Sequence, residues 1–442
     1  MQLPEEFEIR MKHMLGAEYD DFTTAWENAP IYCGIRINPL KTGSKAAVEK
    51  YTGELEPIPW CKNGYYIDKS KISGKHPYHM SGLVYFQEPS AMSAVEAAEI
   101  KPGDYVLDLC AAPGGKATQA AEHLRGEGLL VANEIVPKRA KILAENIGRM
   151  GIKNAIVTNE QPERLAQKFT EFFDKIIVDA PCSGEGMFKK EPQAADEWSA
   201  AHTLSCAERQ KKILASAFKM LKKGGKLVYS TCTFAPCENE GVTAWVLDEY
   251  PETELLKINL PGMTDARGEW VGTRHDLSGA KRIFPHKSKG EGHFNALFRK
   301  NSGGACSCEK SYKSVNKNAF KDFEKEFLNT NLTGEFVDFG DKLYLLPYNI
   351  DIEKIKTILA GLFLGTCKKG RFEPSHELCL ALSAVDFKNT QEITDTACYY
   401  HGETVQTDKK GWTAVLCDGY PIGWGKASDG VLKNHFPKYL RF

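Results

Sequence analysis

The sequence lacks the long apolar runs and the excess of one charge that would assign it to a membrane or to a strongly basic binding surface. No stretch approaches the roughly 20 apolar residues of a membrane-spanning helix, and the acidic start from Met1 to Glu6 lacks the basic region of a signal peptide. The 442 residues carry a formal net charge of −1, which argues neither for nor against nucleic acid as a partner. We therefore expect a globular cytoplasmic protein without membrane contact.

The cysteines do not form the dense, evenly spaced framework of a secreted disulfide-rich protein. All 13 are scattered along a long chain, which indicates reduced thiols. Cys306 and Cys308 have no second pair nearby, so we predict no zinc site and no other metal site. His76, His79 and His293 also lack ligand spacing with an acid or thiol partner, and we expect structural roles for them.

Two common nucleotide-binding signatures are missing as well. The chain has neither the Walker spacing of glycines before Lys-Ser/Thr nor the Gly-x-Gly-x-x-Gly dinucleotide pattern, and it contains no internal repeat or low-complexity tract. These absences exclude a phosphate-binding P-loop enzyme, a typical dinucleotide enzyme and a repeat protein.

The pattern that is present divides the chain into three parts and a linker. Residues 1–100 combine amphipathic and Gly/Pro/aromatic-rich segments, which we interpret as an accessory RNA-binding domain. Residues 101–300 alternate strand and helix patterns, which predicts an α/β domain with a mostly parallel sheet covered by helices on both faces. Residues 301–318, rich in Ser, Gly, Asn and Lys, predict a linker, and residues 319–442 predict a mixed region ending in short Gly-punctuated strands.

The α/β part can be divided into elements from its hydrophobic periodicity. A helix is predicted to begin at Pro137, because Ala140, Leu143, Ile147 and Met150 fall on one face. Strands are predicted at residues 105–109, 129–134, 155–157, 175–179 and 226–230, with late strands at 282–284 and 294–298.

A glycine-rich turn joins the first of these strands to a helix. The segment from Asp108 to Lys116 places Gly114 and Gly115 where a ligand can approach the backbone at a helix N-terminus. Glu134 lies 20 residues after Gly114 at the tip of the second strand, where an acid can accept hydrogen bonds from ribose hydroxyls. This spacing favours an adenosyl ligand.

Two cysteines follow later strands of the same series. Cys182 lies in Asp179-Ala180-Pro181-Cys182, and Cys232 lies in Ser230-Thr231-Cys232-Thr233. A single cysteine after a buried strand is most often a small core residue. Two thiols at two strand ends, downstream of a cofactor turn, instead indicate thiol chemistry served by a nucleotide cofactor.

These motifs resemble the Sun-type RNA (cytosine-5)-methyltransferases, which use S-adenosylmethionine. The C-terminal segments resemble the PUA-like tail of the bacterial RsmF branch, which methylates small-subunit ribosomal RNA. The resemblance implies a Rossmann-like class I methyltransferase with an N-terminal accessory domain and a C-terminal PUA-like domain. The resembling segments are 108–116, 179–186 and 230–233, with 85–90, 290–294, 423–426 and 433–437.

The resemblance also implies roles for individual residues. Asp179 would contact the target base beside the cofactor, and Cys232 would be the nucleophile. After the third strand the family often has an Asp, whereas this chain has Asn159, which could bond the adenine amino group, with Glu160 as the alternative. The residues implied to hold the cofactor are Cys110, Ala111, Ala112, Pro113, Gly114, Gly115, Lys116 and Glu134; the thiol of Cys110 is expected to pack while its backbone faces the ligand.

The implied reaction explains why two thiols are needed. Carbon-5 of cytosine is a poor nucleophile, so a thiolate first adds to carbon-6. Asp179 would stabilise that adduct by protonation or strong hydrogen bonding at ring nitrogen-3. After methyl transfer, the carbon-5 proton leaves and Cys232 is expelled, and Cys182 would assist this release.

Ribosomal RNA or the small ribosomal subunit is the expected partner, with tRNA as a further possibility, and we expect a monomer. The target cytosine must be unstacked to reach a thiol. Lys189, Lys190 and residues 286–289 border the predicted sheet edge and could line an RNA channel. The last 22 residues mix cations with aromatic residues in a way that suits phosphate contact and base stacking: Lys426, Lys433, Lys438 and Arg441 with Tyr420, Trp424, His435, Phe436 and Tyr439.

Two other functions compete with this interpretation. In a DNA cytosine methyltransferase, the thiol corresponding to Cys182 would be the nucleophile, although the Thr231-Cys232 motif and the RNA-like tail argue against it. A non-catalytic ribosome-assembly factor could keep the fold for RNA binding alone. Intact Asp179, Cys182 and Cys232 disfavour that alternative.

Overall fold

In the computed structural model, which describes residues 3–308, 312, 315–346, 348, 350–368 and 370–442, the N-terminal part is a helical pair followed by a small antiparallel sheet. Its elements are α1 (Glu5–Leu15), α2 (Tyr19–Asn28), β1 (Gly34–Ile37), α3 (Ser44–Thr52), β2 (Glu56–Pro57), β3 (Gly64–Tyr66), α4 (Pro77–Met80) and β4 (Val84–Gln87). The strands hydrogen-bond in the order β2-β3-β1-β4.

Aromatic residues on one face of α1 and α2 join this part to the middle of the chain. The ring of Phe7 lies 5.5 Å from that of Phe188 and 6.1 Å from that of Trp198, between centroids, and Phe22 lies 5.6 Å from Phe234. Phe188 and Phe234 follow the two cysteine motifs closely in the chain. The helical pair therefore packs against the loops that carry Cys182 and Cys232.

Residues 93–300 form the α/β domain. Its helices are α5 (Ser93–Ala98), α6 (Gly115–Leu124), α7 (Pro137–Arg149), α8 (Pro162–Lys168), α9 (Pro192–Asp196), α10 (Ala200–Met220) and α11 (Glu240–Glu249). Its strands are β5 (Tyr105–Asp108), β6 (Leu129–Asn133), β7 (Ala155–Thr158), β8 (Phe173–Asp179), β9 (Leu221–Thr231), β10 (Thr253–Leu256), β11 (Thr264–Asp265), β12 (Lys281–Ile283) and β13 (His293–Lys300).

The parallel part of the sheet has the strand order β7-β6-β5-β8-β9. The order reverses between β5 and β8, and ligands of doubly wound sheets bind beyond the carboxyl ends of the strands at such a reversal. The β6 and β7 strands are buried along their whole length, as expected for strands covered by helices on both faces. The predicted α/β fold and the predicted strand positions are confirmed, as is the helix from Pro137 that buries Ala140, Leu143 and Ile147.

The C-terminal part contains two further sheets and one strand that joins the sheet of the α/β domain. Its elements are α12 (Asn318–Phe327), β14 (Glu335–Phe339), β15 (Lys342–Leu346), β16 (Thr357–Ala360), β17 (Leu362–Lys368), β18 (Arg371–Pro374), α13 (His376–Ala381), β19 (Thr390–Glu392), α14 (Thr396–His401), β20 (Val405–Gln406), β21 (Gly411–Cys417), β22 (Tyr420–Ser428) and β23 (Val431–Asn434). One sheet has the order β14-β15-β17-β18, and another has the order β19-β21-β22-β23-β20.

One strand of the C-terminal part, β16, pairs antiparallel with β7 of the α/β domain. Residues of the predicted linker also bond to that domain, because the Lys223 N–H donates to the Gly304 carbonyl and the Cys306 N–H donates to the Glu171 carbonyl. The proposed boundaries at residues 100, 300 and 318 stay predictions. Among the described residues, no helix is long and apolar enough to cross a membrane.

Candidate active site

The two cysteines of the sequence motifs meet beyond the ends of two neighbouring strands. Asp179 at the end of β8 is the register partner of Ser230 in β9, so the loops that follow leave the sheet side by side. The Sγ atoms of Cys182 and Cys232 are 3.4 Å apart. The hydrogen bond with Cys232 and burial raise the pKa of Cys182 well above its usual value. Cys182 is therefore a protonated thiol in this site.

Asp179 lies at the start of the same loop and pairs with the lysine of the glycine-rich turn. Lys116 Nζ lies 2.7 Å from one carboxylate oxygen, and the Ser230 hydroxyl donates to the other at 2.9 Å. Burial alone would raise the pKa of Asp179, but the nearby Lys116 and these hydrogen bonds outweigh it and lower the pKa. Asp179 is an ionised carboxylate, suited to accept a hydrogen bond rather than to give a proton.

His293, for which the sequence suggested only a structural role, lies in this site. Its Nε2 is 3.8 Å from the Asp179 carboxylate, and its side chain is buried. Burial and the nearby Lys116 lower its pKa to about 4, so the ring is neutral. Ligand spacing could not identify this residue. The signal was its place in the 290–294 segment of the family resemblance.

The glycine-rich turn has the geometry that the sequence predicts for a ligand-binding loop. Gly114 has φ +120°, a conformation that favours glycine, and Gly115 begins α6. Arg139 donates to the Ala112 carbonyl at 2.8 Å, and Asn146 donates to the Pro113 carbonyl at 2.8 Å. The carbonyls of the turn are thus held by α7, and the free N–H groups at the start of α6 remain for a ligand.

Arg36 of the N-terminal sheet fixes the other side of this turn. Its fully buried guanidinium donates to the Gly115 carbonyl at 3.0 Å and to the Thr118 hydroxyl at 2.6 Å, and it pairs with Glu122. It also donates to Gln87 Oε1 at 2.7 Å. The sequence did not indicate this clamp, which links the N-terminal domain directly to the cofactor helix.

The carboxylate of Glu134, directly after β6, is fixed by two protein partners. One carboxylate oxygen accepts the Val136 N–H at 2.8 Å, and the other lies 3.2 Å from Arg139 Nη1. The next residue, Ile135, is 50% exposed, although isoleucine is a strongly apolar residue. An acid for a ribose beside an open apolar side chain for an adenine ring fits an adenosyl group.

Asn159 and Glu160 are both engaged with protein partners. The Asn159 side-chain amide donates to the carbonyls of Glu134 and Ile135 at 2.7 and 2.9 Å, so it connects the end of β7 to the segment that carries Glu134. Glu160 Oε1 accepts the Lys356 N–H at 2.7 Å, and the Asn159 N–H donates to the Lys356 carbonyl at 2.8 Å. The loop next to the predicted adenine site is therefore completed by the C-terminal region.

A buried acid at the end of β5 supports a cationic ligand. Both carboxylate oxygens of Asp108 are inaccessible to solvent, and among the described residues no well-formed hydrogen bond reaches them, although the Cys110 N–H lies close to the carboxylate. Burial and the neighbouring Asp179 raise the pKa of Asp108 to about 8. An unpartnered acid is costly in a protein interior. S-adenosylmethionine, with a sulfonium and an ammonium group, supplies the missing positive charge, so these residues fit that cofactor.

The prediction that the aromatic residues of the tail stack on RNA bases is wrong for two of them. Trp424 and Phe436 are each 2% exposed and belong to the cores of the C-terminal sheet, so they cannot stack on bases. Tyr439 is 68% exposed and remains available. The cations at 287 and 289 are paired with Glu18 and Glu56.

Within the part of the chain that the structure describes, no group of three or more His, Cys, Asp or Glu side chains could hold a metal ion.

Family models match the chain along most of its length. They are described as 16S rRNA methyltransferase RsmB/F for residues 95–299, the N-terminal domain of 16S rRNA methyltransferase RsmF for 3–89, the first C-terminal domain of RsmF for 322–382, and the RsmF PUA domain for 390–442. The chain is 32% identical to ribosomal RNA small subunit methyltransferase F of Enterobacter sp. (strain 638) over 475 residues, covering 99% of this chain and 95% of the relative. It is also 32% identical to the protein of the same name from Escherichia coli (strain K12) over 469 residues, covering 99% and 96%.

Solved structures share the fold over about two thirds of the chain. A methyltransferase homologue from Pyrococcus horikoshii is 29% identical, with a TM-score of 0.60 over 67% of this chain and 95% of that one. The structure of NSun6 from the same organism with SFG, an S-adenosylmethionine analogue, has a TM-score of 0.58 at 22% identity over 68% of this chain and 99% of that one. The predicted methyltransferase fold with N-terminal and PUA domains is confirmed.

Proposed function

Because the chain belongs to the RsmB/F family of 16S rRNA methyltransferases, we propose that it forms 5-methylcytosine in 16S ribosomal RNA through a covalent bond between Cys232 and the target base. It is an S-adenosylmethionine-dependent methyltransferase. The observation that carries the proposal is the contact of 3.4 Å between the Cys182 and Cys232 sulfurs, beside the ion pair of Lys116 and Asp179.

The cofactor supplies an electrophilic methyl group, and the protein residues prepare the base to receive it. Cys232 gives up its thiol proton and adds to carbon-6, and nitrogen-3 takes up a proton in the same step, which makes carbon-5 nucleophilic. Asp179, as a carboxylate held by Lys116 and Ser230, accepts the hydrogen bond of a protonated nitrogen-3 and stabilises the adduct. Carbon-5 then takes the methyl group.

Release needs the opposite changes at the same two carbons. Carbon-5 loses its proton to water, and the bond between carbon-6 and the Cys232 sulfur breaks with its electron pair on sulfur. The thiol of Cys182 lies close enough to hydrogen-bond to the departing thiolate. Because Cys182 keeps its proton in the resting site, it is suited to assist release and not to attack the base.

The binding of the cofactor is assigned to the turn and to the strand ends around it. We propose that residues 110–116 approach it with their backbone, that Glu134 binds the ribose, and that Lys116 with Asp179 borders the methyl group. Asn159 or Glu160 lies next to the adenine. The support is the restrained geometry of the turn and the unpartnered acid of Asp108 beside it.

The test of the two thiols uses three variants and an RNA that contains the target cytosine. Cys232→Ala should abolish methyl transfer and form no covalent complex. Cys182→Ala should form an adduct that depends on S-adenosylmethionine and survives denaturing electrophoresis. Cys306→Ala, which changes an exposed thiol outside the site, should behave as the wild type. An adduct in the Cys232 variant, or turnover by it, would contradict the assignment.

The substrate is tested by bisulfite sequencing of ribosomal and transfer RNA from cells with and without the active protein. We expect a 5-methylcytosine in 16S rRNA to disappear when Cys232 is replaced, while tRNA positions stay unchanged. A lost tRNA position instead would make tRNA the substrate. We also propose that a monomer acts in the cytoplasm, because one chain supplies both thiols, Asp179 and the cofactor turn.

A further inference from the structure

A buried carboxyl group, that of Glu238, lies beneath the loop that carries Cys182. It is fully buried, and its Oε2 accepts the Ser183 N–H at 3.0 Å and the Gln210 amide at 2.8 Å. Its Oε1 accepts the Ser183 hydroxyl. The same Gln210 amide donates to the Pro181 carbonyl at 3.1 Å. The residues on both sides of Cys182 are therefore bound to one cluster around Glu238.

The same cluster reaches the loop that carries Cys232. The Ser183 and Thr233 hydroxyls are 2.8 Å apart, and Thr233 is the next residue after Cys232. The Tyr229 hydroxyl at the end of β9 donates to the Glu238 carbonyl at 2.5 Å and to Gln210 Oε1 at 2.8 Å. Glu238 thus connects the two loops that carry Cys182 and Cys232, which follow different strands.

The donors to Glu238 are neutral. Over the described residues, no Lys, Arg or His lies within ion-pair distance of its carboxylate. Burial raises its pKa to about 7, against the hydrogen bonds from Ser183 and Gln210, and Glu185 is an acidic neighbour that acts in the same direction as burial. The pKa of Cys182 is raised first by its hydrogen bond with Cys232 and by burial, and the charge of Glu238 adds to these effects.

We propose that Glu238 is a positioning residue that holds Cys182 and Cys232 in contact. Its carboxylate accepts the N–H of Ser183, the residue after Cys182, so its ionised form also places a negative charge beside that thiol. This inference rests on the proposed function, in which Cys232 attacks and Cys182 assists release. A displacement of about 1 Å in reacting groups can cost a hundredfold in rate, so a shared support for both loops matters for turnover. A nearby negative charge disfavours a second thiolate, so Cys232 remains the attacking group.

The first experiment titrates the thiols of the full-length protein without RNA. Alkylation of Cys182 by iodoacetamide is followed by mass spectrometry as a function of pH. The titratable groups that interact with this thiol include Cys232, Glu238 and Tyr229. Glu238→Gln should lower the pH midpoint for Cys182 by about one unit, as expected when a like charge is removed. Glu238→Asp keeps the charge and should leave the midpoint close to the wild-type value.

Glu240→Gln is the matched control for this titration. Glu240 is also fully buried and begins α11, two residues after Glu238, but its carboxylate pairs with Arg282 and touches neither thiol loop. Its replacement should leave the Cys182 midpoint unchanged. An unchanged midpoint in folded Glu238→Gln, or an equal shift in both variants, would overturn the electrostatic part of the proposal.

The second experiment measures methyl transfer. Glu238→Gln and Glu238→Asp should each lower kcat by about tenfold to a hundredfold, with the KM for S-adenosylmethionine unchanged, because only the thiol geometry is disturbed. Thr233→Val removes one bridge between the loops and leaves the charge, so it should lower kcat without moving the Cys182 midpoint. Wild-type kcat in all three would overturn the positioning role.

Two outcomes separate this proposal from the proposed function. If the wild-type protein methylates no ribosomal RNA, the thiol titration still decides whether Glu238 controls Cys182. If Glu238→Gln fails to fold, Ser183→Ala removes the hydroxyl that joins Glu238 to Thr233 and leaves the carboxyl in place. A normal kcat and a normal Cys182 midpoint in folded Ser183→Ala would then overturn the proposal, and a reduced kcat would support it.

Discussion

Replacement of Glu134 by alanine removes the acid that we assign to the cofactor ribose. The structure shows that protein donors fix this carboxylate, because the Val136 N–H donates to it and Arg139 pairs with it. The free energy lost on mutation is therefore the hydrogen bonding of the ribose to a charged acceptor, about 1.5–3 kcal/mol. At about 1.4 kcal/mol per decade, this corresponds to a roughly ten- to hundredfold weaker affinity for S-adenosylmethionine.

Isothermal titration calorimetry of the folded variant measures this loss, and two other variants make it specific. Arg139→Ala leaves Glu134 and its bond to Val136 in place, and Arg139 is 54% exposed, so the loss should be about 1 kcal/mol or less. Glu145→Ala changes an exposed acid on the same helix and should have no effect. An unchanged affinity in Glu134→Ala would refute the assignment of this acid to the ribose.

Three further predictions follow from the site. Asp108 has a pKa of about 8, so it is mostly neutral below that pH and must lose a proton when a cation binds beside it. The affinity for S-adenosylmethionine should therefore rise with pH up to about 8. Calorimetry of Asp108→Asn should show a flatter dependence on pH. Lys356→Pro removes the backbone N–H that donates to Glu160 and should weaken cofactor binding by up to about tenfold. Lys356→Ala keeps that N–H and should bind the cofactor as the wild type does. Equal affinities of the two variants would show that the C-terminal strand has no role in the cofactor site. Arg36→Met leaves Glu122 buried without its partner and should destabilise the fold by about 3–5 kcal/mol in urea denaturation, and a loss below about 1 kcal/mol would show that the clamp is not needed.

The sequence pattern suggests that a shortened protein ending near residue 318 would contain the whole catalytic part. The structure argues against it, because such a chain loses β16, leaves β7 as an open sheet edge, and removes the partner of Asn159 and Glu160. The return of a strand after about 60 residues has no periodic signal in the sequence.

The sequence by itself determined the α/β domain and the family. Strand and helix periodicity, a glycine turn and an acid 20 residues later are local features, and local features determine where a parallel sheet places the ends of its strands. Because Cys182 and Cys232 follow strands of that sheet, their motifs could be assigned to one site before any distance was known.

Only the tertiary structure decided the chemistry within that site. The 3.4 Å contact of the thiols, the neutral His293 beside Asp179, the Arg36 clamp and the Glu238 cluster all join residues far apart in the chain. Burial, likewise, is a property of the packed molecule: it raises the pKa of Asp108 and hides Trp424 from RNA. Desolvation and long-range hydrogen bonds depend on which surfaces meet, and no spacing of residues along the chain specifies that.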